Sequence, residues 1–233
     1  MPATKNNGQR VFPIRIIIFL ASLVLIVAVG NTVLQGVQTL NRLEVVERER
    51  DQWQKPSAIL VTLNISAGSV VADLGCGSGY FSLKLSSIVG KSGQVLAVDI
   101  RKLPLFFLRV RALTHGMHNI TLIHAASDNP HLPAGTADAV LVANTYHEIT
   151  NSKPVLENLF RSLRSGGRLV IVDHGPQTTG GESADLEPQH HEIAVSVVED
   201  EIKRSSFELV SRQDRFIDRA GDQPWWLLVA RKP

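Results

Sequence analysis

Cysteine is nearly missing from this chain, where Cys76 stands alone. A single thiol excludes an intramolecular disulfide and any metal cluster built on several cysteines. Such scarcity fits a reducing compartment. An excess of one charge is missing too. Lys and Arg total 24 against 22 Asp and Glu, a formal net charge of +2. That balance gives no electrostatic reason to expect a nucleic-acid partner. Internal repeats are absent. What remains is 44% hydrophobic and 20% charged over 233 residues, enough for one sizeable α/β domain with an appendage.

Long apolar runs are also scarce, with one exception. Ile16 to Val29 is interrupted only by Ser22, and Lys5, Arg10 and Arg15 precede it. A basic flank before an apolar run is a membrane-targeting pattern. Extended from Val11 to Leu34, the run reaches the roughly 20 residues that cross a bilayer, with Arg15 snorkelling at one end. Apolarity on every face argues against a buried core helix. A retained anchor is the favoured reading; a cleaved signal peptide, with Ala28-Val29-Gly30 as small residues at the cut, is the other. Arg42, Arg48 and Arg50 balance the amino-terminal flank, so counting basic residues does not orient the segment. The basic residues nearest the run lie on its amino side, which points to an exported domain. Residues 1–35 form this segment, 36–66 a linker and capping helix, and 67–233 the main domain. Gln38 to Lys55 is helical in composition, with Glu44/Arg48 spaced for a surface ion pair.

From Val70 the pattern alternates regularly. Strands are predicted at 70–74, 94–98, 120–124, 139–143 and 168–172, with helices at 80–89, 103–115 and 154–163 between them. Gly90, Gly116 and Gly166-Gly167 act as stops. Such alternation implies a doubly wound, mostly parallel sheet. Beyond Asp173 the pattern loosens into a Gly/Ser/Thr/Pro-rich loop to Pro188. A helix is predicted at 192–204, and strands at 207–215 and 225–231 form an antiparallel edge hairpin, giving seven strands in all.

The stretch Val70 to Phe81 (VVADLGCGSGYF) reads as a buried strand, a tight turn and a helix start. Ligands of such sheets sit beyond the carboxyl ends of the strands, where strand order reverses. Asp73, Asp99 and Asp173 each fall at a strand end and should share one rim. Tyr80 occupies the position where the dinucleotide fingerprint requires its third glycine, and no Gly-Lys-Ser/Thr follows the turn. Asp99 lies about 20 residues past the turn, where an acid takes ribose hydroxyls. Asp73 before the glycines disfavours a pyrophosphate and suits a cationic group such as an ammonium. An amino-acid head joined to a ribose fits both acids.

These residues resemble the class I S-adenosylmethionine-dependent methyltransferases. The resemblance runs from about Trp53 to Leu228 and rests on VADLGCGSGYF (71–81), VLAVDI (95–100), HAASDNPHLP (124–133), ADAVLVANTYHEI (137–149) and LRSGGRLVIVD (163–173). The nearest subgroup is the methyltransferase type 11, or ubiquinone/menaquinone C-methyltransferase-like, relatives. The resemblance implies a Rossmann-like methyltransferase fold and S-adenosyl-L-methionine as cofactor. It implies that Asp73, Gly75 and Gly77 line the methionine part, Asp99 takes the ribose, Ser127 and Asp128 lie by the adenine, and Asn144 lies beside the sulfonium. Cys76 stands where the family has a small residue and reads as a buried thiol.

For chemistry, His147 and Tyr146 follow strand four on the cofactor side. His147 is a candidate general base because its ordinary pKa lies near neutrality. The alternative is that both residues only shape the pocket. His174, His190, His191 and Glu192 form a second set; their spacing lacks the regularity of a metal site, and no metal is assigned. Trp225-Trp226 reads as edge-strand packing. The functional expectation is methyl transfer to a small or lipid-like acceptor at a membrane. A non-catalytic S-adenosylmethionine-binding module and a nicotinamide oxidoreductase are the alternatives. Cytosolic supply of the cofactor favours a cytosolic domain, against the lean of the basic flank. Oligomeric state is left open.

Overall fold

A computed structural model describes residues 14–175, 192–219, 221 and 223–233. Lys5, Arg10, His190, His191 and most of the Gly/Ser/Thr/Pro-rich stretch lie outside the described residues. The chain divides into two units between Val46 and Glu47.

Helix α1 (Ile14–Trp53) contributes to both units. Residues 16–35 are all exposed, so this run is not a core helix of the chain. By length and composition it can cross a bilayer. Thr32 and Thr39 turn their hydroxyls back onto the carbonyls of Ala28 and Gln35, so neither presents a bare polar group. No break marks the passage from apolar run to charged segment. Residues 36–53, expected as linker and cap, continue the same helix. It ends at Trp53, and Lys55 takes a left-handed conformation before Pro56 opens α2 (Pro56–Thr62).

In the second unit, α2, β1 (Val70–Leu74), α3 (Tyr80–Val89), β2 (Gln94–Asp99), α4 (Lys102–Thr114), β3 (Ile120–His124) and β4 (Ala137–Ala143) follow in order. A 3-10 turn (Tyr146–Glu148), α5 (Ser152–Ser162), β5 (Leu163–His174), α6 (Val195–Arg204), β6 (Glu208–Ile217) and β7 (Trp225–Arg231) complete it. The sheet order is β3-β2-β1-β4-β5-β7-β6, with β1 to β5 parallel and β6 and β7 antiparallel. Alternate residues of each central strand enter opposite cores. Ala72, Val140 and Ile171 pack with α5 and α6, while Val71, Leu141 and Val170 pack with α2 and α3. Burial on both faces is why these strands read as continuous apolar runs.

Two expectations change in this frame. Trp225 and Trp226 are not on an edge strand, because β7 lies between β5 and β6 and leaves β6 outermost. Trp226 is therefore fully buried, its indole N–H donating to the Ile193 carbonyl. Strand β5 also starts earlier than its apolar pattern suggests. Leu163 pairs with Ala137, and Gly166 and Gly167 pair through their backbone with Lys232.

Candidate functional site

The strand order reverses between β1 and β4, and the carboxyl ends of β2, β1, β4 and β5 line the resulting crevice. On one side the glycine turn is held by backbone. The amides of Gly75 and Cys76 both donate to the Val98 carbonyl, at 2.8 and 3.0 Å. Gly75 has φ +74, and a Cβ there would fall 2.2 Å from the Thr145 hydroxyl. It is glycine because the segment after β4 packs directly onto it. Gly77, also at positive φ, has nothing within 4 Å of where its Cβ would be, so this is where another molecule can meet bare backbone.

Two carboxylates frame the turn. Asp99 is 3% exposed and ties the turn to β2: one oxygen accepts the Gly77 amide at 2.8 Å, and the other accepts the Arg101 amide at 2.8 Å. Asp73 is 2% exposed and accepts the Ser82 hydroxyl at 2.6 Å. Burial pushes its pKa up to about 6; Ser82 resists this, and the neighbouring Asp99 charge adds to it. A buried acid with a raised pKa is poised to gain from a cation beside it. Cys76 is buried, which pushes its thiol pKa up and leaves it an inert packing group.

The other side of the crevice is made by β4 and β5. Asn144, at φ +55, donates its amide to the Val172 carbonyl and extends the strand pairing by one residue. The chain then winds into the 3-10 turn. His147 donates its backbone amide to Asp173 Oδ2 at 3.1 Å, and its Nδ1 lies 2.8 Å from Asp173 Oδ1. Asp173 is fully buried and also accepts the His174 amide. The hydrogen bond that His147 donates to Asp173 raises the His147 pKa, with burial opposing it. Holding Nδ1 as the donor leaves Nε2 as the basic nitrogen. Tyr146 points elsewhere. Its ring is buried in the α5/α6 core, and its hydroxyl donates to Glu201 at 2.6 Å. Burial, with that bond, pushes its pKa up.

Ser127 and Asp128 lie exposed in the turn after β3, beyond Ala125, whose amide donates to the Asp99 carbonyl. The strands thus bring Asp73, Gly75, Gly77, Asp99, Asn144, His147 and Asp173 to one rim. Tyr146 is beside them in sequence but not in direction. His147, Asp173 and His174 offer ligand atoms all within 4.8 Å of one another. Asp173 already accepts three N–H groups there, so a cation would have to displace a hydrogen bond that fixes His147. That arrangement suits proton handling better than metal binding.

Sequence reading missed the contribution of the end of α1. Glu47 holds Arg111 of α4, Asp51 accepts the Tyr80 hydroxyl at 2.7 Å, and Arg50 lies over the Tyr80 ring. Trp53 meets Trp225 edge-on at 5.6 Å, Trp225 meets His174 at 5.0 Å, and His174 meets His147 at 5.3 Å. A run of ring contacts therefore leads from α1 to His147. The signal was the single helical face shared by residues 47, 50, 51 and 54, masked by treating the charged stretch as solvated surface. A groove of about 730 Å³ between α5 and α6, with Lys153, Glu157, Arg161 and Arg204 on its walls, shares no residue with this rim.

Comparison with known proteins gives the family and the fold. The family described as a methyltransferase domain matches residues 65–215. The demethylmenaquinone methyltransferase of Oceanobacillus iheyensis is 24% identical over 143 residues, covering 61% of this chain and 59% of that protein. The ubiquinone/menaquinone biosynthesis C-methyltransferase UbiE of Hahella chejuensis is 32% identical over 115 residues, covering 49% of this chain and 46% of that protein. The chain thus spans about half the length of the curated relatives it matches. Among solved structures, a SAM-dependent methyltransferase from Aquifex aeolicus superposes with a TM-score of 0.64 at 21% identity, over 76% of this chain and 89% of that one. The [4+2]-cyclase SpnF superposes with a TM-score of 0.66 at 16% identity, over 77% of this chain and 81% of that one.

Proposed function

Because the chain belongs to the methyltransferase-domain family, whose class I members use S-adenosylmethionine, we propose that it is a methyltransferase for a ring-bearing, lipid-like acceptor. The residues fit that cofactor on the open backbone at Gly77 and the two buried carboxylates. In this reading Asp73, Gly75 and Gly77 hold the methionine part and Asp99 the ribose. Ser127 and Asp128 lie by the adenine, and Asn144 lies beside the sulfonium. When bound, the cofactor supplies an electrophilic methyl group.

The observation that carries the reading is the His147–Asp173 pair on the rim opposite the glycine turn. His147 Nε2 takes a proton from the acceptor, and Asp173 keeps the ring in the right tautomer and stabilises the imidazolium. Tyr146, its hydroxyl bound to Glu201, acts by positioning the turn that carries His147 and has no part in proton transfer. The half-buried rings of Trp53 and His174, packed against the buried Trp225, give a ring-bearing acceptor aromatic edges to meet. This agrees with relatives named for demethylmenaquinone and ubiquinone/menaquinone methylation.

The apolar run of α1 anchors the enzyme beside membrane-dissolved acceptors, with the second unit on the cytosolic side where the cofactor is made. A topology reporter fused after Pro233 tests the sidedness, and an external signal would refute it. The function is tested with the full chain in lipid nanodiscs, labelled S-adenosylmethionine and reduced demethylmenaquinone. Labelled quinone is the expected product, abolished by His147→Ala. Cofactor binding without transfer to any quinol or phenol would favour the non-catalytic reading instead. The nicotinamide alternative has no support from the family match.

A further inference from the structure

Helix α4 has one apolar face more than its packing needs. Its inward side is Leu105, Leu108 and Ala112, all buried, with Leu105 and Leu108 packed on Cys76 and on Ala97 of β2. Its outward side carries Leu103, Phe106 and Leu113, which are 64%, 58% and 58% exposed. Val110, half-buried, fills the gap in their spacing of i, i+3, i+7 and i+10, so the four form one stripe along the helix. Phe107, also half-buried, meets Phe106 edge-on at 6.0 Å. Among the described residues beyond α1, the other exposed large apolar side chains come singly, from α2, α3, β6 and the β2–α4 loop. Single ones are ordinary on a protein surface; a continuous stripe marks a contact.

The border of the stripe is cationic. Lys102 and Arg109 are both exposed, Lys102 four residues before Phe106 and Arg109 four before Leu113, so each adjoins the stripe on the helix surface. Among the described residues, neither side chain has an ion pair or a hydrogen bond. Arg101 precedes them, its side chain 62% exposed. The helix itself contains no Asp or Glu. Leu and Phe on one face with Lys and Arg along its edge is the make-up of a helix that lies in a membrane interface. A second copy of the chain is a poor complement. A twofold contact centred on α4 would set these cations against their own copies, with no acid on the helix to separate them. An anionic phospholipid surface meets both features, with acyl chains for the stripe and phosphates for the cations.

We infer that the outward face of α4 docks on an anionic phospholipid bilayer, a second membrane contact besides the apolar run of α1. This rests on the anchor reading above, which supplies the bilayer. A tether keeps the second unit at high effective concentration near the lipid surface, so one short stripe and its cations suffice to hold it there. Helix α4 starts three residues after Asp99 of the rim. Docking by this face therefore brings the lipid surface close to the crevice, on the path of an acceptor dissolved in the bilayer.

Fluorescence of the full chain reconstituted in liposomes tests the face. Cys76 is the sole cysteine and is buried, so Phe106→Cys, Leu103→Cys and, on α5, the control Glu157→Cys each take a thiol-linked NBD dye at the new position. In vesicles of phosphatidylcholine with phosphatidylglycerol, dye at 106 or 103 should be quenched by nitroxides on the lipid acyl chains, at the roughly 5–10 Å depth of an interfacial helix. Dye at 157 should not be. Lys102→Gln with Arg109→Gln should lower the ratio of docked to undocked protein about 30-fold, the effect of two cations at an anionic surface. Vesicles of phosphatidylcholine alone should act in the same direction. Dye at 106 and 103 that stays in water, or quenching indifferent to lipid charge, overturns the proposal. Dye shielded from water yet unreached by the nitroxides overturns it in favour of a protein contact. Washing the vesicles with alkaline carbonate reads the anchor separately. A chain quenched at 106 but washed off keeps the face and loses the anchor; a chain retained with its dye in water keeps the anchor and loses the face. A chain that never floats with the vesicles loses both.

Discussion

On the β1–β2 side of the crevice, the site consists of backbone and carboxylates drawn from one short stretch, Asp73 to Arg101. Its hydrogen bonds run between the turn and the strand next to it, as from Gly75 to Val98 and from Gly77 to Asp99. On the β4–β5 side, every working contact joins distant parts of the chain: His147 to Asp173, Tyr146 to Glu201, His174 to Trp225, and Trp225 to Trp53. In the proposed function the first side binds a ligand whose shape is fixed, and local backbone geometry is enough; the second places one imidazole and a set of rings. That requires several elements to agree, and it is the side free to change with the acceptor.

Substitutions can test this division. The largest effect is expected on the β4–β5 side. Asp173→Asn should lower kcat by up to about ten-thousandfold, the scale seen when an orienting acid is lost, while S-adenosylmethionine binding changes little. A matching loss of cofactor affinity would show that the two sides are not separate. Because Asp173 raises the His147 pKa, the rate should rise with pH as His147 loses its proton, and the variant's profile should shift to lower pH. The stability linked to this His147 interaction should be complete below its unfolded pKa, near 6.5, and be lost as pH rises through the higher folded value. Denaturant titrations across that range check the sign.

Gly75→Ala comes next, where the two sides touch. Its Cβ would enter the Thr145 side chain, and φ is +74, so a cost of about 3 kcal/mol is expected in unfolding. Gly77→Ala has open space and should cost about 1 kcal/mol, yet it should weaken cofactor binding more than its stability loss explains. The reverse ranking would move the ligand away from Gly77.

Asp73→Asn should be opposite in sign. With a folded pKa of about 6 against 3.8 unfolded, the carboxyl contributes stability below pH 3.8 that is lost as pH rises through 6. Removing the charge should therefore stabilise the ligand-free protein at pH 7.5, by up to about 3 kcal/mol, and weaken S-adenosylmethionine binding. Thermal unfolding with and without cofactor reads both. Tyr146→Phe should be smallest. Loss of the Glu201 bond costs about 1 kcal/mol, and kcat should stay within a few-fold. A large fall in kcat would give the hydroxyl a part in chemistry.

The same division separates what could be read early from what could not. Asp73, Gly75, Gly77 and Asp99 stood out in the sequence because the chemistry of that side lies in consecutive residues, where strand, turn and helix start leave a pattern. His147 stood out by residue type, but its partner did not. Asp173 was read as one of three strand-end acids and weighed with His174 and the later histidines as a metal set, not as the partner of His147. The contacts of Glu47 and Asp51 were hidden because a charged helix end looks the same whether it faces water or packs against other elements.

By itself, the sequence determined the alternating strands and helices, the exposed apolar run, the glycine turn and the acids bracketing it. Each of these is a local consequence of side-chain periodicity and backbone freedom. Tertiary structure alone decided that β7 enters beside β5 and buries Trp226. It also turned Tyr146 toward Glu201 and His147 toward Asp173, and it brought the end of α1 to the glycine turn. These outcomes depend on strand order and on which helix covers which face, and a single stretch of chain does not encode those.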